Sequence, residues 1–354
     1  MKKQTIAWAL GIGIILSASI FFGYQRWSGL KEPARDELLA RMPADATTVL
    51  YFDLDALRQS PFLSELYKWA PQNKQDADYL RFLQSTGFNY ETDLHRVAMS
   101  FLNRGPQTTV FAIADGRFDH KKISAYALQS GSRISRDGHE IFAVPFSEES
   151  RQIMFTFLRS DRIALTNSGD LSNFLARAQE DPDTQAWRVR FRRLAGSPVF
   201  AVIRREASPG TVWSGEAPGG LQSPQLASLL NQLAWISVAG KPEGDRMRVV
   251  IEGEAVAEGP ARQLSDVLSG LLLLAQGGLS QPKMRQQLDP DVRDAYLELL
   301  RSADVSQIDR GDTKSVRLMF DLSPKFLEAA RTPVPQTSGP APAKSSAHKG
   351  AIQN

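Results

Sequence analysis

The chain has no cysteine among its 354 residues. That absence excludes disulfides, thiolate zinc sites, iron–sulfur clusters, c-type haem attachment and cysteine nucleophiles together. It also excludes a lipoprotein anchor, which is built on an acylated cysteine. A cysteine-free chain fits an oxidising compartment without requiring one. An excess of one charge sign is equally lacking, since 42 basic residues stand against 39 acidic ones for a net +3. Nucleic-acid binders usually concentrate basic charge on one face, so no nucleic-acid partner is expected. Histidine is scarce, with four copies at His95, His120, His139 and His348. None falls in HxH, HxxxH or HExxH spacing, which leaves solvated or hydrogen-bonded structural histidines as the expectation. A GxSxG elbow, a GxxxxGK[ST] loop and a GxGxxG turn after a strand are missing too. These spacings call for no metal and no cofactor, and a non-enzymatic protein is expected.

What is present begins with a long apolar run. Lys2 and Lys3 precede a stretch from Ile6 to Tyr24, and no charged residue falls between Lys3 and Arg26. As a helix at about 1.5 Å per residue, this stretch covers roughly 30 Å, the thickness of a bilayer's hydrocarbon core. Ile6, Trp8, Leu10, Ile14, Ile15, Leu16, Phe21, Phe22 and Tyr24 would carry the membrane anchor. Trp8 sits near one end, and Tyr24 and Trp27 near the other, where amphipathic rings favour the headgroup level. Gly11 and Gly13 either assist helix association or simply fit lipid. The rival reading is a cleaved signal peptide with Ser17-Ala18-Ser19 as its small-residue site. Against it, Ile20, Phe21 and Phe22 continue the run beyond that site, and the run exceeds the roughly 7–15 residues of a signal h-region. An uncleaved single-pass anchor is therefore expected. Basic residues flank both ends (Lys2 and Lys3, then Arg26, Lys31 and Arg35), so their count leaves orientation open. The short amino-terminal tail favours a body exported to the periplasmic side of a bacterial inner membrane.

At this length the remainder suggests two domains. With 42% hydrophobic and 23% charged residues it has the composition of a folded chain. The expected organisation is a tail over 1–5, the anchor over 6–24, a stalk over 25–43, α+β domains over 44–196 and 197–331, and a tail over 332–354. The last segment is rich in Pro, Ser, Ala and Gly and cannot bury enough surface to offset its ordering entropy, so it is expected to be disordered. In the first domain, Thr47–Asp53, His95–Leu102 and Thr108–Ala114 read as strands, and a helix from Asp119 to Gln129 follows. Arg136-Asp137-Gly138 between two alternating runs is a hairpin signal. In the second, strands are expected at 198–203, 234–239 and 246–254, a long helix at 260–275, and strands at 305–309 and 315–320. Two details suggest internal duplication. Phe52-Asp53-Leu54 and Phe320-Asp321-Leu322 each end a strand, and Val110–Leu128 and Val249–Leu271 share a strand, a bend and an amphipathic helix. The expected fold is α+β: two related domains, each an antiparallel sheet covered by helices, with one large sheet as the alternative.

Candidate site residues are few. Asp53-Leu-Asp55 has the DxD form of a metal or phosphate site, but Asp55 before a helix at Ala56 reads as its cap, with Asp53 accepting local backbone hydrogen bonds. Asp119 and Ser323 stand in the same position before other helices. Trp187-Arg-Val-Arg-Phe-Arg-Arg193 is the densest basic cluster. Its Arg188, Arg190, Arg192 and Arg193 form either a contact face for anionic lipid or an acidic partner, or a solvated helix face with apolar stems. Arg310-Gly311-Asp312 spells an adhesion tripeptide but reads as a turn. The apolar run Leu264–Leu274 is too short to span a bilayer and reads as a helix buried against a sheet.

Pro43-Ala-Asp-Ala46, Val49-Leu-Tyr-Phe-Asp-Leu54, Leu57-Arg-Gln-Ser-Pro-Phe62 and Gly116-Arg-Phe-Asp119 resemble the opening of a group of uncharacterised bacterial membrane-anchored proteins, a domain of unknown function. The resemblance covers mainly residues 43–130. It implies a single amino-terminal span and a repeated α+β exterior, and it brings no catalytic residues. A membrane-tethered extracytoplasmic binding or scaffold module, with an envelope protein as partner, is the reading these features support. A hydrolase or metal-dependent enzyme with a dispersed site, and a structural spacer in an envelope complex, are the alternatives.

Overall fold

The computed structural model describes residues 32–64, 77–103, 108–145, 152–175, 182–205, 228–255, 257–282, 286, 288–311 and 313–331. The anchor segment 6–24, residues 25–31, the Pro/Gly-rich stretch 208–220, Asp312, the tail from 332 and His348 lie outside the described residues. Among the described residues no helix is long and apolar enough to cross a membrane.

The architecture is α+β and built on one antiparallel sheet. The first half of the chain supplies β1 (Thr48–Asp53), β2 (Leu94–Asn103), β3 (Thr108–Gly116), β4 (Ser132–Arg136), β5 (His139–Pro145), β6 (Gln152–Arg159) and β7 (Arg162–Thr166). The second supplies β8 (Val199–Arg204), β9 (Leu233–Glu243), β10 (Arg246–Ala255), β11 (Asp304–Asp309) and β12 (Lys314–Leu322). All pair antiparallel in a 12-stranded sheet of order β11-β12-β10-β9-β8-β1-β2-β3-β7-β6-β5-β4. Two separate sheets were the expectation, and one continuous sheet is found. The reason is the direct pairing of β1 with β8, whose apolar Val49, Leu50, Tyr51 and Phe52 face Val202, Ala201, Phe200 and Val199. Both strands have an apolar residue at every central position, so both faces of this seam are buried.

Outward from the seam the two halves run in the same order, β1-β2-β3-β7-β6 on one side and β8-β9-β10-β12-β11 on the other. The registers match as well. In β2–β3 a bulge falls between Leu94 and Arg96, and in β9–β10 one falls between Glu254 and Ala255, opposite the Leu233–Trp235 stretch. Beside these bulges run two rows of four facing residues. They are Asp53–Arg96–Asp115–Arg162 in the first half and Arg204–Trp235–Glu254–Ser315 in the second. Of the two hints of duplication in the sequence, the β3 and β10 pair falls on corresponding strands. The other joins β1 to β12, which do not correspond.

Helices cover both sheet faces. One face carries α1 (Glu32–Leu39), the short α6 (Ser172–Leu175) and α7 (Pro182–Arg193) over a core of Leu38, Leu39, Tyr51, Ala98, Ile113, Trp187, Phe191, Phe200 and Trp235. The other carries α2 (Leu54–Arg58), α5 (His120–Ser130), α8 (Glu258–Ser280), α9 (Pro290–Ser302) and α10 (Pro324–Arg331). The remaining helices, α3 (Ala77–Thr86) and α4 (Tyr90–Asp93), lie between α2 and β2 in the chain. Helix starts follow their capping chemistry. Asp119 accepts from Lys122 N at 3.0 Å, Asp289 from Asp291 N at 2.9 Å, and Ser323 from Phe326 N at 3.3 Å. The hairpin at 136–138 forms as the sequence suggests, with Asp137 at φ 51° and Gly138 at φ 78°, both in the left-handed region a two-residue turn requires.

Three expectations are corrected. The described part of the stalk is core, because Leu38, Leu39 and Met42 are 0%, 3% and 6% exposed. Each such burial stabilises by about 1.5–3 kcal/mol, which holds α1 on the sheet. The strand expected over 234–239 starts one residue earlier, at Leu233, which packs beneath α8, and runs on to Glu243. Helix α8 runs past Ala275 to Ser280. Leu264 is buried, whereas Leu273 and Leu274 are 69% and 73% exposed, so only its first part packs on the sheet.

Candidate functional site

The charged rows beside the bulges place buried carboxylates against arginines inside the described fold. Asp115 ends an inward-facing series with Phe111 and Ile113 on β3, and period-two alternation points it into the core. Burying a carboxylate there demands a paired cation and hydrogen bonds. Arg162, 1% exposed, meets the demand with a bidentate fork: Nε donates to Asp115 Oδ1 at 2.6 Å and Nη2 to Oδ2 at 2.9 Å. Its Nη1 lies 2.8 Å from Glu37 Oε1 on α1, and Arg159 Nη1 donates to both Glu37 oxygens at 3.2 Å. On the other side Arg96 donates to Asp53 at 3.4 Å and stands 4.0 Å from Asp115. Five residues from β1, β2, β3, β7 and α1 thus form one chain of alternating charge.

The matching row in the second half solves the same problem differently. Glu254, 4% exposed, has Trp235 and Ser315 as sheet neighbours, and neither is a cation. The charge comes from α7, where Arg190 donates to Glu254 Oε2 and Arg193 to Oε1 at 2.9 Å. Arg190 also lies over the Trp235 ring at 3.9 Å, and Arg204 lies over the same ring at 5.6 Å. Trp187 on α7 donates from Nε1 to Ala44 O at 3.1 Å, and Arg35 on α1 donates to Phe191 O while lying 5.4 Å over the Phe200 ring. Helix α7 therefore clamps the seam from the first half onto β10 of the second.

This placement divides the basic cluster. Arg190 is buried and Arg193 is committed to Glu254, so neither is spare charge for a surface. Arg188 is half-buried with an interaction of its own, and Arg192 is exposed. Asp53 accepts a local backbone hydrogen bond as the sequence suggested, but the cap expected at Asp55 falls on Asp53 instead. Helix α2 starts at Leu54, Asp53 is its cap and accepts from Ala56 N at 2.8 Å, while Asp55 pairs with Arg58 at 3.1 Å and with His95 Nδ1 at 3.0 Å. The cap falls earlier than expected because the last residue of β1 turns its carboxylate back over the first turn of α2. His120 stacks on Phe157 at 3.8 Å with Nε2 3.1 Å from Ser160 O, and His139 closes the β4–β5 hairpin opposite Arg136. Among the described residues no group of three His, Asp or Glu side chains is arranged to hold a metal ion.

Further out, Glu252 is bound by Arg310 at 2.9 Å and Arg317 at 3.2 Å, and Arg248 faces Asp321 at 3.0 Å. Arg310 of the Arg-Gly-Asp tripeptide is thus tied to the sheet, and Gly311, at φ 81°, forms the turn. A polar groove of about 800 Å³ opens between α8 and α9, lined by Arg246, Arg293, Asp294, Glu298 and Arg301. Within it Arg246 meets Glu298 at 2.7 Å and Arg293 meets Asp294 at 2.8 Å.

Burial raises the Glu37 and Glu252 carboxyls, but attraction and hydrogen bonds from Arg162 and Arg159, and from Arg310 and Arg317, outweigh it and hold both below the ordinary value of 4.5. A depressed folded-state value contributes stability that is complete above the ordinary value and lost as pH falls through the depressed one. Thermal melts should therefore hold a constant Tm between roughly pH 7 and pH 5 and a falling one below about pH 4, with a shallower fall in the Glu37→Gln, Glu252→Gln variant. An identical slope in that variant would show that other carboxylates govern acid unfolding.

Glu37, Arg96, Asp115, Arg162 and Glu254, which no sequence motif singles out, are the centre of this arrangement. For the four on strands the one signal is a charged residue at an inward-facing position of an otherwise apolar strand, and Glu37 on α1 carries none. Fixed arginine–carboxylate forks hold geometry: guanidinium stays charged across the physiological range and takes no part in proton transfer there.

No family model matches the chain, and no curated protein matches it. Among solved structures, two crystal forms of TP0453 are similar. Form III has a TM-score of 0.43 at 12% identity over 82% of this chain and 96% of that one. Form IV has a TM-score of 0.44 at 12% identity over 83% and 95%.

Proposed function

We propose that the protein is a membrane-tethered scaffold or binding module on the periplasmic side of a bacterial inner membrane. The observation that carries this reading is the packing of α1. Residues 25–31 alone separate the apolar segment ending at Tyr24 from Glu32, where α1 starts. Seven residues extend at most about 25 Å. From Arg35 onward the chain is fixed to α7 by the Arg35–Phe191 bond and to the sheet by the Glu37–Arg162 ion pair and the burial of Leu38, Leu39 and Met42. A body attached this way is held close to the bilayer in a restricted orientation, which suits a part that presents a surface to an envelope partner.

The repeated strand order, bulge and charged row support internal duplication of the α+β unit, with two units meeting along β1 and β8. The charged residues of the rows are spent on ion pairs, within the first row and with Asp183 and the α7 arginines in the second, which supports a load-holding role over a chemical one.

Reporter fusions after Asp45 and after Ala330, with fractionation of the untagged chain, test the reading. Membrane-bound protein with both points exported is the expected result. Cytoplasmic fusion points would reverse the orientation, and soluble exported protein of reduced mass would replace the anchor with a cleaved signal.

A further inference from the structure

The ends of the sheet are unequal. Strand β6 is covered by the β5–β4 hairpin, whereas β11, which holds the corresponding place in the second half, has no strand beyond it among the described residues. Two edges are left, β4 and β11, and they differ in charge. Strand β4 reads Ser-Arg-Ile-Ser-Arg, with every residue exposed, and β11 reads Asp-Val-Ser-Gln-Ile-Asp. On such edges every second residue turns its N–H and C=O outward, ready for another strand.

We propose that β4 of one copy pairs with β11 of the next, extending the sheet head to tail. Strand parity permits it without inverting either molecule. With an even number of strands, all antiparallel, a copy displaced along the sheet sets β11 antiparallel to the β4 of its neighbour. Face parity agrees as well. A single row of facing residues runs from Ile134 and Ile141, through Tyr51 and Phe200, to Met319 and Asp304, so Ile134 and the even-numbered residues of β11 share one face. An antiparallel register with Arg133 opposite Asp309 then sets Ile134, 45% exposed, opposite Ile308 and brings Arg136 diagonal to Asp304, within cross-strand reach.

Existing partners do not block this pairing. Arg133 meets Glu140 at 3.3 Å, Arg136 meets Asp170 at 3.4 Å and Asp309 meets Lys314, and Arg133, Arg136 and Asp309 are all more than half exposed. Exposed pairs of this kind exchange at little cost. The contact joins two different surfaces, so each copy can take a partner at both ends.

The absence of cysteine makes a direct test available in the detergent-solubilised full chain. Ile134→Cys and Ile308→Cys single variants are oxidised separately and as an equal mixture. The expected result is crosslinked dimer in the mixture at about tenfold the yield of either variant alone, and a ladder of higher products when one chain carries both. The Arg133→Glu, Arg136→Glu pair added to the Ile134→Cys variant should cut that yield roughly tenfold, and Asp304→Lys with Asp309→Lys on the partner should restore it. Dimer from Ile134→Cys alone at equal yield, no product above the single-variant background, or a charge reversal without rescue would each overturn the proposal.

Discussion

Replacing Arg162 with Met should cost about 3–5 kcal/mol, because it removes one partner of a buried pair and leaves the other behind. Asp115 is 5% exposed and would keep only Arg96, 4.0 Å away. Glu37 would lose its 2.8 Å contact, loosening α1, the helix nearest the proposed anchor in the chain. Chemical unfolding of the full chain should show a lower midpoint, and proteolysis should cut first near residues 32–43. The comparison that isolates the charge is Arg162→Met with Asp115→Leu, since two apolar groups of similar volume in place of a buried pair are often neutral or better. Recovery of most of the loss is expected. A double variant no more stable than the single one would mean that Arg162 acts through its packing.

Glu254→Ala should be nearly as damaging, again about 3–5 kcal/mol, since it strands Arg190, which is 8% exposed, and frees Arg193. Its distinguishing mark is location. Glu254 belongs to β10 and its arginines to α7, so the loss falls on the clamp between the halves rather than inside one of them. Hydrogen exchange should quicken in α7 and along β8–β9 while β5 and β6 keep their protection. Uniform quickening across the sheet would show that the halves unfold as one unit and that the clamp has no local role. The Trp187–Trp235 edge contact at 4.8 Å gives a fluorescence signal for the same event.

Much of the strand pattern is legible in the amino-acid sequence. The strands of the β2–β3 pair, the Asp137-Gly138 turn and the caps at Asp119 and Ser323 follow from alternation and local hydrogen bonding, which act over a few residues. The joining of β1 to β8 is not legible there, because apolar strands separated by about 150 residues carry no local mark of their partner. The same limit hides the packing of α1. Leu38, Leu39 and Met42 look like a sparse apolar stripe in a charged segment, and only the sheet beneath gives them a core. Asp53 and Asp55 stand out as a pair, but their roles depend on which residue leaves the strand first, and spacing does not say. Arg190 and Arg193 resemble surface charge because the carboxylate that uses them lies 61–64 positions away in sequence.

The seam between β1 and β8 has one more consequence. There Leu50 faces Ala201, each at the middle of its strand, and the two halves meet as like against like. Two separate half-chains meeting so would have two identical outer ends, and either end could bind only its own kind. Carried in one chain, the ends are free to differ, and here, among the described residues, one carries a hairpin and the other does not. The molecule has thereby acquired a direction, which an object with matched ends cannot have.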